Sequence, residues 1–210
     1  MTFELPKLYP ITDRSLSGLS HAGQVARLCE GGARLVQLRE KHLSPREFYA
    51  EVLEAVRVAR ACGAKVVVND RVDVALAAGA DGVHVGQDDV PPEAVRALLG
   101  AGKIVGFSTH SVGQAAEAAR LPVDYVAIGP VFDTSSKENP DPVVGLEGVR
   151  RVRAAVGNAV KLVAIGGITA ETAPSVLEAG ADSVALIGAL LNTSDPAEIT
   201  RRARALLARL

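Results

Sequence analysis

Along the chain, short apolar or β-branched runs alternate with longer segments whose apolar residues recur every three or four positions. The runs are "LYPIT" (8–12), "RLVQL" (34–38), "KVVVN" (65–69), "GVHVG" (82–86), "IVGFS" (104–108), "YVAIG" (125–129), "LVAIG" (162–166) and "SVALI" (183–187). Such near-continuous apolar character suits strands covered on both faces, as in a parallel sheet. Segment 44–61 carries the clearest helical signal: Ser44 and Glu47 have capping-box spacing, Pro45 suits the first turn, and Phe48, Val52, Val56 and Ala59 share one face. Gly63 ends it. A further helix is expected over 169–180, from a cap at Thr169 to Gly180, and another over 195–210, opening on Asp195-Pro196 with Glu198 three residues after the cap.

Eight strand–helix units in 210 residues predict an α/β fold, a single-domain (β/α)8 TIM barrel spanning residues 1–210. A doubly wound open sheet fits less well, because no Gly-x-Gly-x-x-Gly follows the first strand and eight units is the closing number for a barrel. The long connection "DTSSKENPDPVVG" (133–145) after strand six reads as an active-site loop. In strand three, Val66, Val67 and Val68 are expected to fill the layer between barrel and helices.

Composition narrows the function classes. With 48% hydrophobic and 22% charged residues the chain has the makings of a packed core, not of disorder. A net charge of -1 and no basic run leave no footprint for nucleic acid or an anionic membrane. No apolar stretch reaches the ~18 residues of a membrane span, and the start "MTFELPKLYPITDR" lacks a basic region followed by an apolar core, so the expected location is cytoplasmic. Cys29 and Cys62 have no metal-ligand spacing and read as small buried hydrophobes. Whether the chain forms a homo-oligomer stays open.

In a barrel, chemistry gathers where strands end and the following loops begin. Gln37, Arg39, Lys41, Asn69, Asp70, Gln87, Asp88, Asp89, Ser108, Thr109, His110, Thr134, Ser136 and Lys137 all fall there. If strand two stays extended, Gln37, Arg39 and Lys41 lie on one side, a grip for an anionic substrate. Asp70 and Asp89, at the ends of adjacent strands, can share a hard cation such as Mg²⁺ together with phosphate oxygens. Each aspartate alone would also serve as a helix cap. Asp88 reads as a solvated or capping residue. "IGGI" after strand seven and Ile187-Gly188 after strand eight lie where phosphate-binding barrels present backbone N–H groups, although tight turns also explain the glycines. Together these features suggest two phosphorylated substrates, one bound with metal. His84, inside an apolar strand, reads as a hydrogen-bonded structural histidine.

"LYPITD", "LVQLREK", "VNDRVDVALAAGADGVHVGQDD", "GFSTHS", "DYVAIGPVFDTSSK", "VAIGGI" and "AGADSVALIGAL", in this order over essentially the whole chain, resemble the thiamine-phosphate synthase family. That resemblance implies a transferase joining 4-amino-2-methyl-5-pyrimidinylmethyl diphosphate to a thiazole phosphate, commonly as its carboxylate, with Mg²⁺ as cofactor. It further implies that the segment Gln37, Leu38, Arg39, Glu40 and Lys41 contacts the pyrimidine diphosphate, with Asn69 beside it. Asp70 and Asp89 would ligate Mg²⁺. Arg39, Lys41, Ser108 and Lys137 would be catalytic, and Thr134, Ser135, Ser136, Gly167, Ile187 and Gly188 would hold the thiazole phosphate. Two positions depart from the family pattern: Ser136 stands where threonine is usual, and Gly188 where serine is more frequent. The related thiazole tautomerase, an isomerase with a histidine after strand five, is the nearest alternative, and His110 occupies that place. A non-catalytic phosphate-binding barrel is a third.

Overall fold

The computed structural model describes residues 3–134 and 141–210. Each apolar run is a strand: β1 (Leu8–Thr12), β2 (Leu35–Leu38), β3 (Lys65–Asn69), β4 (Gly82–Val85), β5 (Ile104–Thr109), β6 (Tyr125–Ile128), β7 (Lys161–Ile165) and β8 (Ser183–Leu186). They pair in parallel with their sequence neighbours, and β1 also pairs with β8 to close the barrel. Around it lie α1 (Arg14–Ser17), α2 (His21–Glu30), α3 (Pro45–Ala61), α4 (Val72–Ala77), α5 (Pro92–Leu99), α6 (Val112–Ala118), α7 (Gly145–Val156), α8 (Ala173–Glu178), α9 (Gly188–Leu191) and α10 (Pro196–Leu207). Among the described residues no helix is long and apolar enough to cross a membrane.

Local signals act as expected at α3, where Ser44 and Glu47 form the reciprocal capping box, and at α10, where the Asp195 side chain accepts from Ala197 N. Phe48, Val52, Val56 and Ala59 are the buried face of α3. The helix expected from Thr169 instead begins at Ala173, because the Thr169 hydroxyl folds 169–172 into a turn by accepting from Glu171 N and Thr172 N. Cys29 is buried, but Cys62 is exposed at the C-cap of α3, contrary to its expected burial.

Period-two alternation divides the sheet into two cores. Val66 and Val68 pack outward with Val36, Leu38, Val83 and Val105 beneath the helices. Val67 turns inward with Tyr9, Ile11, Leu35, Ile104, Tyr125, Ala127, Val163 and Ala185. Only two of the three valines therefore occupy the layer expected of them. Gly106 faces the barrel interior, where a Cβ would lie 2.1 Å from Tyr125 Cζ and 2.6 Å from His84 Nδ1. The missing side chain is what lets the Tyr125 ring cross the barrel.

One motif recurs at the N-terminal end of the strands. Asp81, Asp124 and Asp182 precede β4, β6 and β8, and each exchanges two bonds with the strand before it. Val66 N donates to Asp81 Oδ2 at 2.8 Å while Asp81 N donates to Val66 O at 2.9 Å. Asp124 does the same with Val105, and Asp182 with Leu162. Arg96 of α5 reaches Asp124 at 2.7 Å and Arg153 of α7 pairs with Asp182. These residues tie strands in pairs and leave the opposite rim free for chemistry.

Candidate active site

At the C-terminal rim, Asp70 follows β3 with φ 60, and among the described residues no other non-glycine has a positive φ. Aspartate tolerates this left-handed conformation better than most residues, yet it costs free energy that the surroundings must supply. Asp70 N donates to His84 O at 2.8 Å, which clamps the turn to β4. Lys41 Nζ donates to Asp70 Oδ2 at 2.6 Å. Asp89, at the end of the β4 loop, accepts from Gly86 N through Oδ2 at 2.8 Å. Partial burial and the neighbouring Asp70 carboxylate raise the Asp89 pKa, against the opposing effects of the Gly86 N–H and Lys41. Two carboxylates that repel one another and share a single ammonium suit a divalent cation. Among the described residues no group of three His, Cys, Asp or Glu converges, so such an ion would take its other ligands from water and phosphate oxygens, a pattern typical of Mg²⁺.

The β2 segment separates what an extended strand would have kept together. The strand ends at Leu38, so Gln37 points into the barrel, where its amide donates to Tyr9 Oη at 3.2 Å. Arg39 turns toward the β1 end, 3.8 Å from Asp13 Oδ2, and Lys41 toward β3. The Leu38 side chain is fully buried under the helices, leaving only its backbone at the rim. Glu40 is occupied by its own loop: Oε1 accepts from Lys41 N at 2.8 Å and His42 N at 2.7 Å, and Oε2 lies 3.3 Å from His21 Nε2. Burial alone would raise its pKa, but these bonds hold it below the usual value. His21 in turn bonds Thr12 Oγ1 at 2.6 Å, and Thr12 Oγ1 accepts from Arg39 N at 3.3 Å. The position of Arg39 is thus set by a buried cluster of Thr12, His21 and Glu40, of which only Glu40 stood out in the sequence, as a substrate contact. The clue lay in the polar Thr12 closing an apolar strand.

Within the barrel a line of polar side chains leads from Gln37 to the rim. Tyr9 Oη and Tyr125 Oη are 2.8 Å apart, Tyr125 Oη is 3.0 Å from His84 Nδ1, and His84 Nε2 is 2.8 Å from Ser108 Oγ. His84 stacks on Tyr125 with ring centroids 5.5 Å apart. Burial pushes its pKa down to about 4, opposed by the Asp89 charge, so the ring is neutral near pH 7. As expected, His84 is buried and hydrogen-bonded. Its link to Ser108 became visible only once the strand register paired β4 with β5. Asn69 is registered against His84 and half-buried beside it.

On the far side, Gly166 and Gly167 have φ 98 and 64, and a Cβ on Gly167 would lie 2.4 Å from Asp133 O. The turn after β7 therefore runs directly along the chain leaving β6, and Val131 N donates to Ile165 O at 2.9 Å. Gly188 opens α9, and a Cβ there would meet nothing within 4 Å. Its N–H belongs to the first turn, whose donors have no carbonyl partner in the helix. Ile187 packs partly against the interior core. Thr134 lies at the end of the described chain, while Ser135, Ser136 and Lys137 fall outside the described residues. His110 donates from Nδ1 to Gly129 O at 2.9 Å and lies 3.3 Å from Asp141. Asp88 is exposed, and the N-cap of the following helix is Pro91 without a side-chain cap.

Comparison with known proteins identifies the family of the chain. Residues 8–190 match the family model described as thiamine monophosphate synthase. A thiamine-phosphate synthase of Chloroflexus aurantiacus is 44% identical over 202 residues, covering 96% of this chain and 92% of that protein. One from Koribacter versatilis is 48% identical over 195 residues, covering 90% of each. Among solved structures, a thiamine phosphate pyrophosphorylase from Pyrococcus furiosus aligns with a TM-score of 0.84 and 37% identity, covering 96% of this chain and 95% of that one.

Proposed function

The chain belongs to the thiamine monophosphate synthase family, and from that premise we propose that it joins 4-amino-2-methyl-5-pyrimidinylmethyl diphosphate to a thiazole phosphate, or its carboxylate, releasing diphosphate and, from the carboxylate, CO₂. The observation that carries this reading is the Asp70–Asp89 pair, held by a left-handed turn at Asp70 and with Lys41 beside it. A site built to gather cations and phosphate oxygens at one point is what departure of a diphosphate requires.

In this reading the pyrimidinylmethyl C–O bond breaks first, its electron pair leaves with the diphosphate, and the thiazole nitrogen captures the resulting cation. Mg²⁺, when bound by Asp70 and Asp89, supplies neutralisation of the charge that grows on the leaving group. Arg39 and Lys41 add fixed positive charge from either side of the β2 loop, Ser108 contacts the diphosphate, and the family resemblance gives Lys137, which lies outside the described residues, a role at the same diphosphate. The turns at Gly167 and at Ile187-Gly188, with Thr134, Ser135 and Ser136, orient the thiazole phosphate for in-line capture. The enzyme needs little acid–base machinery for this reaction, which matches a rim of cations and carboxylates.

Incubation of the protein with both substrates should give thiamine phosphate with Mg²⁺ and essentially none after chelation. Turnover of a thiazole isomer without metal would replace this reading with an isomerase working through His110. Binding without turnover would leave a phosphate-ligand barrel.

A further inference from the structure

We infer that Tyr125 and His84 are positioning residues that, fed by Gln37 and Tyr9, fix the Ser108 hydroxyl as a hydrogen-bond donor toward the rim. Each group along the buried line has a fixed number of protons to place. Gln37 Nε2 can only donate, so Tyr9 Oη accepts from it. Tyr9 Oη has one other partner among the described residues, Tyr125 Oη at 2.8 Å, and its own proton must go there. If Tyr125 donated instead, the Tyr9 proton would be buried without an acceptor, which buried donors avoid because the lost hydration is not repaid.

Tyr125, having accepted from Tyr9, must donate to His84 Nδ1 at 3.0 Å. The imidazole nitrogen receiving that proton carries none of its own, so the remaining ring proton is on Nε2. It is donated to Ser108 Oγ at 2.8 Å. Ser108 has then accepted from within the barrel, and its hydroxyl proton has no acceptor among the described residues. Ser108 is half-buried at the end of β5, so that proton is offered to the site. Every bond in the line runs the same way, from barrel centre to rim. Gly106 permits it, since any side chain there would collide with both Tyr125 and His84.

The direction matters because a diphosphate oxygen can only accept. A serine already committed as a donor to His84 would turn its lone pairs toward an anion. One fixed as an acceptor from His84 turns its proton there instead. The target of that proton rests on the proposed activity, but the order of protons does not, and the two are tested separately.

Long-range proton–nitrogen NMR of the ¹⁵N-labelled wild-type protein reports the tautomer directly. The chain has 4 histidines, and loss of one signal set in His84→Asn identifies the ring. The expected state is Nε2–H; an Nδ1–H ring would overturn the inference, whatever the activity. Tyr125→Phe removes one hydroxyl and keeps the ring. It should mix the His84 tautomers and lower kcat about 3- to 10-fold, as for one hydrogen bond, with KM changed by less than about 2-fold. In a Ser108→Ala background the same substitution should have no further effect on kcat. An equal loss in both backgrounds would mean that Tyr125 only supports the fold. If wild-type coupling were absent while the Nε2–H tautomer was observed, the proposed function would fail and the proton order would stand.

Discussion

Both ends of the barrel place aspartates beside strand termini, and the two sets do opposite things. At the N-terminal end, Asp81, Asp124 and Asp182 each close a two-bond exchange with a neighbouring strand, and the latter two also bind an arginine. At the C-terminal rim, Asp70 sits at φ 60 and Asp89 is pushed up by burial and by Asp70, with Lys41 as their shared cation. The first set is satisfied by the chain. The second is left under electrostatic tension that a bound cation would relieve, a common arrangement where function is obtained at the expense of stability.

The sharpest way to break this comparison is Asp89→Asn. Coupling should fall by about 10³-fold or more, in line with several kcal/mol of lost charge stabilisation. The melting temperature should hold or rise by about 1–3 °C, because a repulsion is removed. Near-normal turnover, or a marked loss of stability, would erase the contrast. Asp182→Ala should do the reverse: urea denaturation should show a loss of about 1–3 kcal/mol, discounted for a partly exposed pair, with kcat per folded molecule unchanged.

A third test concerns the neutral histidine between the two ends. The folded-state pKa of His84 is about 4, below the ordinary 6.5, so between these values the unfolded chain binds more protons. Stability is therefore full above pH 6.5 and declines as pH falls toward 4, by up to ~3 kcal/mol for this group. His21, also lowered by burial, acts in the same sense. Urea midpoints measured across this window should slope less steeply in His84→Asn, and an unchanged slope would assign the pH dependence elsewhere. The smallest effect is expected at Gly188, where there is room for a side chain. Gly188→Ser should lower KM for the thiazole phosphate about 2- to 10-fold by adding one hydroxyl contact, and an increase would show that the space is needed by the ligand.

The barrel was legible because its strands are short apolar runs with few competing signals. LYPIT and KVVVN end at the residues where the paired strands end. The carboxylate pair was legible too, since Asp70 and Asp89 follow adjacent strands. What escaped was whatever depended on where a strand stops and on which phase faces inward. Gln37, Arg39 and Lys41 point apart because β2 ends at Leu38. The Glu40 carboxylate is taken up by its own loop, an arrangement set by backbone N–H groups that have no letter in the sequence. Nothing in the sequence sets Tyr9 and Tyr125 apart within their strands, and it is the closed register that brings their hydroxyls 2.8 Å apart.

The three aspartate exchanges join β3 to β4, β5 to β6 and β7 to β8. Arg34 occupies the corresponding place before β2, and its guanidinium bonds Cys29 O and Ala33 O instead of β1. The barrel is thus three riveted modules and one plain sector, with the plain sector at the seam where the first strand meets the last. Amide hydrogens of β1 and β2 should exchange with solvent before those of the other six strands, which makes the seam the natural place for the barrel to open and the last to close.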